Sequence, residues 1–304
     1  MHKLSLVVIL GLGACGGAES PAAAVDAGSD VATDSVADTG GSSVRSLTTC
    51  TTNVAADAPA FYRTYFKCVT IVTTPTGVAI STEGLPPHLS YYYGKGNPNY
   101  AEFDVSRGAS YHPNPNVLAK QSLRFEVPNA PTPKGGSISP TLVDGVVGTS
   151  TAEYPMGPAG VAIDSVVLFN PMARPGDDIA AERFTFDSYD AHPAPDLAYH
   201  YHTASPGPLE VLVSIGQATK STPGAAEVEL YGVMCDGTFV LGCTELDGSA
   251  PTGTLDAQGG HLGDLKDRAG TAHFTGRYHV HVCPSSATGR KYTPEIQYYT
   301  TCGR

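Results

Sequence analysis

One histidine arrangement occurs twice in this chain, and any fold must place both copies. Thr185-Phe186-Asp187-Ser188-Tyr189-Asp190-Ala191-His192 leads into Tyr199-His200-Tyr201-His202, and Thr254-Leu255-Asp256-Ala257-Gln258-Gly259-Gly260-His261 leads into Tyr278-His279-Val280-His281. The match extends upstream, where Gly160-Val161-Ala162-Ile163-Asp164 aligns with Gly232-Val233-Met234-Cys235-Asp236 and each is followed by a further apolar run, 166–169 and 239–241. The offset is 72 residues at Gly160/Gly232, 69 at Thr185/Thr254 and 79 at Tyr199/Tyr278, because the second copy has a longer loop over 262–277. Matched blocks in one order imply internal duplication. Each unit then consists of a hairpin-like strand pair, a loop ending in His, and a His-x-His strand.

Short apolar runs separated by turn residues continue through the rest of the chain. Segments 66–72, 123–127, 161–169, 209–215, 228–234 and 278–282 read as strands. Between them lie Pro86-Pro87, Pro113-Asn114-Pro115, Pro206-Gly207-Pro208 and Asp236-Gly237. Charged residues make up only 15%, with 34 Gly and 24 Pro, against roughly 25% charged in an average globular protein. The expected fold is mostly β: a single β-rich domain at 49–304, built from two pseudo-symmetric repeats (about 155–215 and about 228–302), with few or no long helices.

The first residues read as an address. Met1-His2-Lys3 is a short basic start, and residues 4–12 form an apolar run too short to span a bilayer. Leu12-Gly13-Ala14-Cys15 looks like a bacterial lipobox, which makes 1–14 a lipoprotein signal peptide and Cys15 the acylated residue. An ordinary signal peptide with a chance cysteine is the alternative. Residues 15–48 are rich in Ala, Gly, Ser and Asp with few large apolar side chains, the composition of a disordered linker. A lipid bilayer is therefore the expected partner through Cys15, and Gly16 after the cysteine points to the outer membrane. Nucleic acid is not an expected partner, since the formal net charge is −11.

Six cysteines remain: Cys50, Cys68, Cys235, Cys243, Cys283 and Cys302. An even number in an exported chain favours disulfides. Cys50 with Cys68 is the local pairing to expect; spacing does not settle the other four. Zinc ligation by cysteine is the weaker reading, since no C-x-x-C pair is present.

Strand geometry turns the histidines into candidate metal ligands. Residues i and i+2 share a face of a strand, so His200 and His202 oppose Tyr199 and Tyr201, as His279 and His281 oppose Tyr278 and Val280. Two imidazoles roughly 7 Å apart at Cβ can converge on one ion, with His192 or His261 as third ligand. Three nitrogens leave a coordination position open on Cu or Zn. The two triads (His192, His200 and His202; His261, His279 and His281) could form separate sites or one dinuclear centre. Asp187 and Asp256 could each accept the second N–H of an imidazole, but a turn role is the preferred reading, as it is for Asp164 and Asp236. His88, His112 and His273 are weaker candidates. The competing account of the doubled motif is a hydrogen-bonded polar network with no metal.

Gly84-Leu85-Pro86-Pro87-His88, Gly96-Asn97-Pro98-Asn99, Pro155-Met156-Gly157-Pro158-Ala159-Gly160-Val161-Ala162, Phe169-Asn170-Pro171 and the two His-x-His motifs resemble the YHYH-domain family over roughly residues 70–302. Two departures stand out: the second motif reads Tyr-His-Val-His, and the family's Asn-Gly-His is Asp-Ala-His at 190–192 and Gly-Gly-His at 259–261. The resemblance implies no activity, because the family is named for its motif. No serine-hydrolase elbow, phosphate loop or His-Glu-x-x-His helix is present. The expectation is a surface-anchored, extracytoplasmic protein with a His-rich Cu or Zn site. The alternatives are a metal-dependent hydrolase or oxidoreductase using the same site, and a structural or adhesion module whose histidines are structural.

Overall fold

The computed structural model describes residues 44–131, 157–171, 173, 179–256 and 258–283. Cys15 with its signal segment and the linker up to residue 43, Cys302, the start of repeat one at 155–156 and the end of repeat two after 283 lie outside the described residues. The linker's last residues, 44–48, belong to the folded part, where Arg45 donates to Asn99 Oδ1 and the Leu85 carbonyl and Leu47 packs against the core. Among the described residues, twelve strands in two sheets dominate, as expected from the turn-rich, lightly charged composition.

The smaller sheet, in the order β1-β2-β3-β4, comprises β1 (Asn53–Val54), β2 (Thr70–Thr73), β3 (Gly77–Thr82) and β4 (Leu123–Pro128). Helix α1 (Ala60–Tyr65) buries Phe61, Tyr62 and Tyr65 in the core. The larger sheet holds β5 (Pro158–Ala162), β6 (Val167–Phe169), β7 (Ala191–Pro193), β8 (Tyr199–Tyr201), β9 (Leu230–Met234), β10 (Phe239–Leu241), β11 (Gly260–Lys266) and β12 (Ala272–His281). Its order is β11-β12-β10-β9-β5-β6-β8-β7.

From the central β5–β9 pair outward, the pairings run in the same sense on both sides. β5–β6 and β9–β10 are antiparallel hairpins, β6–β8 and β10–β12 are parallel, and β7–β8 and β11–β12 are antiparallel. Register matches too: Val167 pairs with His200 and Phe239 with His279. The hairpin turns place Ser165 and Gly237 at φ 80° and 88°. Asp164 and Asp236 complete those turns by accepting from the Val166 and Thr238 amides, the turn chemistry expected of them.

One expected strand is a helix. Residues 209–215 lie in or directly after α3 (Pro206–Ser214), which follows the short helix α2 (Ile179–Glu182). Ser205 caps α3 by accepting from the Gly207 amide, and proline occupies its first turn. A short apolar run fits either state; the Ser-Pro start selects the helix.

Arg277 joins the two sheets. Its guanidinium donates to the Pro128, Asn129 and Gly237 carbonyls and lies over the Phe239 and Phe274 rings. Disulfides link Cys50 to Cys68 and Cys243 to Cys283, and Cys235 is also disulfide-bonded. Among the described residues no helix is long and apolar enough to cross a membrane.

Candidate metal centres

His192 on β7 pairs across the ladder with His200 on β8, and His202 follows on the same face. The opposite face of β8 is anchored by hydroxyls. Tyr199 donates to Asp187 Oδ2 at 2.6 Å and Tyr201 to Asp164 Oδ2 at 2.7 Å. All three imidazoles are buried, and their Nε2 atoms converge: 3.1 Å between His192 and His200, 2.9 Å between His200 and His202.

The outer nitrogens fix the tautomers. Nδ1 of His200 donates to the Ala198 carbonyl at 2.9 Å and Nδ1 of His202 to the Asn170 carbonyl at 2.6 Å. A carbonyl only accepts, so these Nδ1 atoms carry the proton and the neutral rings have bare Nε2. Thr185 donates its hydroxyl proton to the Glu182 carbonyl, so its oxygen accepts from His192 Nδ1 at 2.6 Å. Asn114 stands farther from that nitrogen, at 3.4 Å, and donates to the Pro193 carbonyl. Three lone pairs therefore face one another with no proton between them. Protonation does not relieve this at neutral pH. Burial, with the neighbouring imidazoles, pushes His192 and His200 well below the ordinary histidine range, and burial pushes His202 down to about 4. A metal cation does relieve it: two nitrogens on a tetrahedral Zn²⁺ stand about 3.3 Å apart, close to the observed spacing. Carbonyls that hold Nδ1–H and aim Nε2 are the usual outer contacts of ligating histidines.

The second triad repeats the arrangement. His261 on β11 pairs with His279 on β12, and His281 follows. Nδ1 of His279 donates to the Arg277 carbonyl at 3.0 Å and Nδ1 of His281 to the Gly242 carbonyl at 2.9 Å, positions that match Ala198 and Asn170. Nε2 of His261 lies 3.2 Å from Nε2 of His281. Tyr278 donates to Asp256 Oδ2 at 2.6 Å, as Tyr199 does to Asp187.

The second centre also contains a carboxylate. Glu245 Oε1 is 3.1 Å from His261 Nε2 and 3.5 Å from His281 Nε2, and its Oε2 is 3.0 Å from His279 Nε2. Burial would raise this carboxyl; the His279 and His281 imidazoles instead hold it well below the usual carboxylate range. Glu245 and the three histidines form one potential ligand group, and His192, His200 and His202 form another. In the sheet, β6, β5, β9 and β10 separate β8 from β12, about 24 Å at the usual strand spacing. Among the described residues the six histidines form two groups, not one cluster.

The model of the family described as YHYH protein matches residues 124–258. Residues 124–258 are thus similar to the YHYH domain. No curated protein and no solved structure matches the chain. The matched segment contains the whole first centre, whereas the second centre's histidines lie past its end, so the match stops short of the 70–302 over which the sequence resembles the family.

The backbone geometry explains one departure from the family pattern. Asp190 and Gly259, at the family's Asn position, have φ 56° and 74°. That left-handed backbone suits Asn, Asp and Gly alike, so the position shapes the turn before the ligand. Asp187 and Asp256 also serve turns: Oδ1 of each accepts backbone amides, Tyr189 in one case and Gln258 and Gly260 in the other. Their second oxygens hold tyrosines and make no hydrogen bond to a ligand imidazole. Glu245 was not legible in the sequence, because its aligned position in the first copy is Ala173. His88 lies outside both triads, 3.1 Å from Tyr201 Oη and stacked on Tyr189. His112 is exposed, and His273 pairs with Asp267.

Proposed function

We propose that this protein binds two transition-metal ions, Zn²⁺ or Cu²⁺, one in each histidine centre. The observation that carries the reading is the buried convergence of Nε2 lone pairs on His192, His200 and His202, whose protons are committed to the outer contacts. The same observation weighs against a hydrogen-bonded scaffold, because bare nitrogens cannot bond to one another. Imidazole donors favour Zn²⁺ and Cu²⁺ over Ca²⁺ or Mg²⁺.

The protein works in the bacterial envelope, held to the outer membrane by acylated Cys15 with the linker up to residue 43 as spacer. Support comes from the lipobox-like sequence and from the disulfides, which belong to oxidising compartments. Internal duplication is supported by the matched strand order on either side of β5–β9. Metal analysis of untagged protein is the test: two equivalents are expected after reconstitution, and one after His200→Ala/His202→Ala. Less than about a tenth of an equivalent in the unaltered protein would overturn the reading. Radiolabelled palmitate incorporation that survives Cys15→Ser would overturn the anchoring.

A further inference from the structure

The two centres share a histidine geometry and differ in what faces the fourth side of the metal. In the second centre Glu245 approaches all three Nε2 atoms, within 3.0–3.5 Å, so a bound ion receives three nitrogens and one oxygen from the protein. A four-ligand protein shell of this kind is closed.

Around the first centre the arrangement is different. Among the described residues, no carboxylate or thiolate joins His192, His200 and His202 as a ligand group. The Glu182 carboxylate stands beside His192, with Oε1 3.6 Å from Nε2, and its side chain is 27% exposed. Among the described residues, two phenyl rings pack against the histidines. Phe169 stacks on His200 at 3.8 Å between centroids, and Phe186 lies 4.9 Å from His192 and 5.9 Å from His202. Three protein ligands with a free position mark a centre that takes a small exogenous molecule. The phenyl rings limit its size, and the Glu182 oxygen beside the position can accept a hydrogen bond from it.

We infer that the His192–His200–His202 centre keeps one exchangeable coordination position on its Glu182 side for water or a protic molecule of similar size, while Glu245 closes the other centre. This rests on the metal-binding reading above. It makes the first centre the one where a substrate meets the metal and the second a fixed metal staple.

Electron paramagnetic resonance of the Cu²⁺-loaded protein in ¹⁷O-enriched water tests it, since a directly bound water broadens the copper lines. The His279→Ala/His281→Ala variant, with only the first centre, should broaden. The His200→Ala/His202→Ala variant, with only the second, should not, and adding Glu245→Ala to it should make it broaden. Should a double variant fail to fold, the unaltered protein with both centres loaded serves: one of its two copper signals should broaden. A first centre that holds copper without broadening, or a second that broadens with Glu245 intact, overturns the inference while leaving metal binding in place. Failure of both centres to hold copper or zinc overturns the metal reading itself.

Discussion

The two centres place their imidazoles on matching strands, with matching cross-strand partners and matching carbonyls behind them, yet one is wrapped in aromatic rings and the other in charge. The first stacks Phe169 on His200 and buries every histidine. The second has a carboxylate among its imidazoles, a partly exposed His261 and a disulfide within two residues of His281. A common backbone thus fixes where the nitrogens point, and the segments between strands decide what else lies beside them.

The largest effect that could break this comparison is on metal content. His200→Ala should remove one metal equivalent and leave the second centre's equivalent intact, as read by elemental analysis. Loss of both would mean the centres are coupled.

Next comes the disulfide. Cys243 follows the carbonyl that holds His281, and Cys283 lies two residues past His281, closing a separation of 40 residues. Replacing both with Ser should cost roughly 4 kcal/mol of unfolding free energy in denaturant titration and weaken metal at the second centre alone.

The pH dependence of the metal-free protein sharpens the contrast from behind the strand. Burial raises Asp164 to about 7, against the hydrogen bonds from Tyr201 and Val166 that lower it. Its stabilising contribution is therefore present at acid pH and lost as pH rises through about 7. The first-centre histidines act in the opposite sense, because their folded-state values are depressed. Their contribution is present above the ordinary histidine range and lost as pH falls, down to about 4 for His202. Asp164→Asn removes only the carboxyl's share. The variant should gain stability relative to the unaltered apoprotein at pH about 7.5 and lose that gain at pH about 5, by a few kcal/mol at most. An equal change at both pH values would show that Asp164 does not titrate in this window.

The smallest expected difference is between the two tyrosine clamps. Tyr199→Phe leaves the fully buried Asp187 short of a donor and should cost about 2 kcal/mol, whereas Tyr278→Phe, at the partly buried clamp, should cost about 1 kcal/mol. Chemical denaturation of the apoproteins checks the order.

Much of this was legible because it follows from period and repetition. His200 with His202 and His279 with His281 share faces through the two-residue period, and the matched sequence blocks pointed to His192 and His261. Glu245 was hidden for the same reason: it aligns with Ala173, so reasoning from symmetry passes over it. Residues 209–215 misled because a short apolar run has no decisive period, and the signal lay upstream in Ser205 and Pro206. The parallel β6–β8 and β10–β12 pairings were also invisible, since strand order depends on contacts between segments that no local pattern encodes.

The central β5–β9 pair carries a consequence of its own. A Cβ added at Gly160 would stand 2.7 Å from the Val233 carbonyl oxygen, and one at Gly232 would stand 2.3 Å from that of Val161. The halves are therefore fused along a seam with no side chain to spare at either position. Neither half is a self-contained module: severed from the other, it would present a bare, glycine-bearing strand edge, the kind of surface that recruits a second chain. A fragment holding one metal centre is thus expected to rebuild its missing neighbour by dimerising.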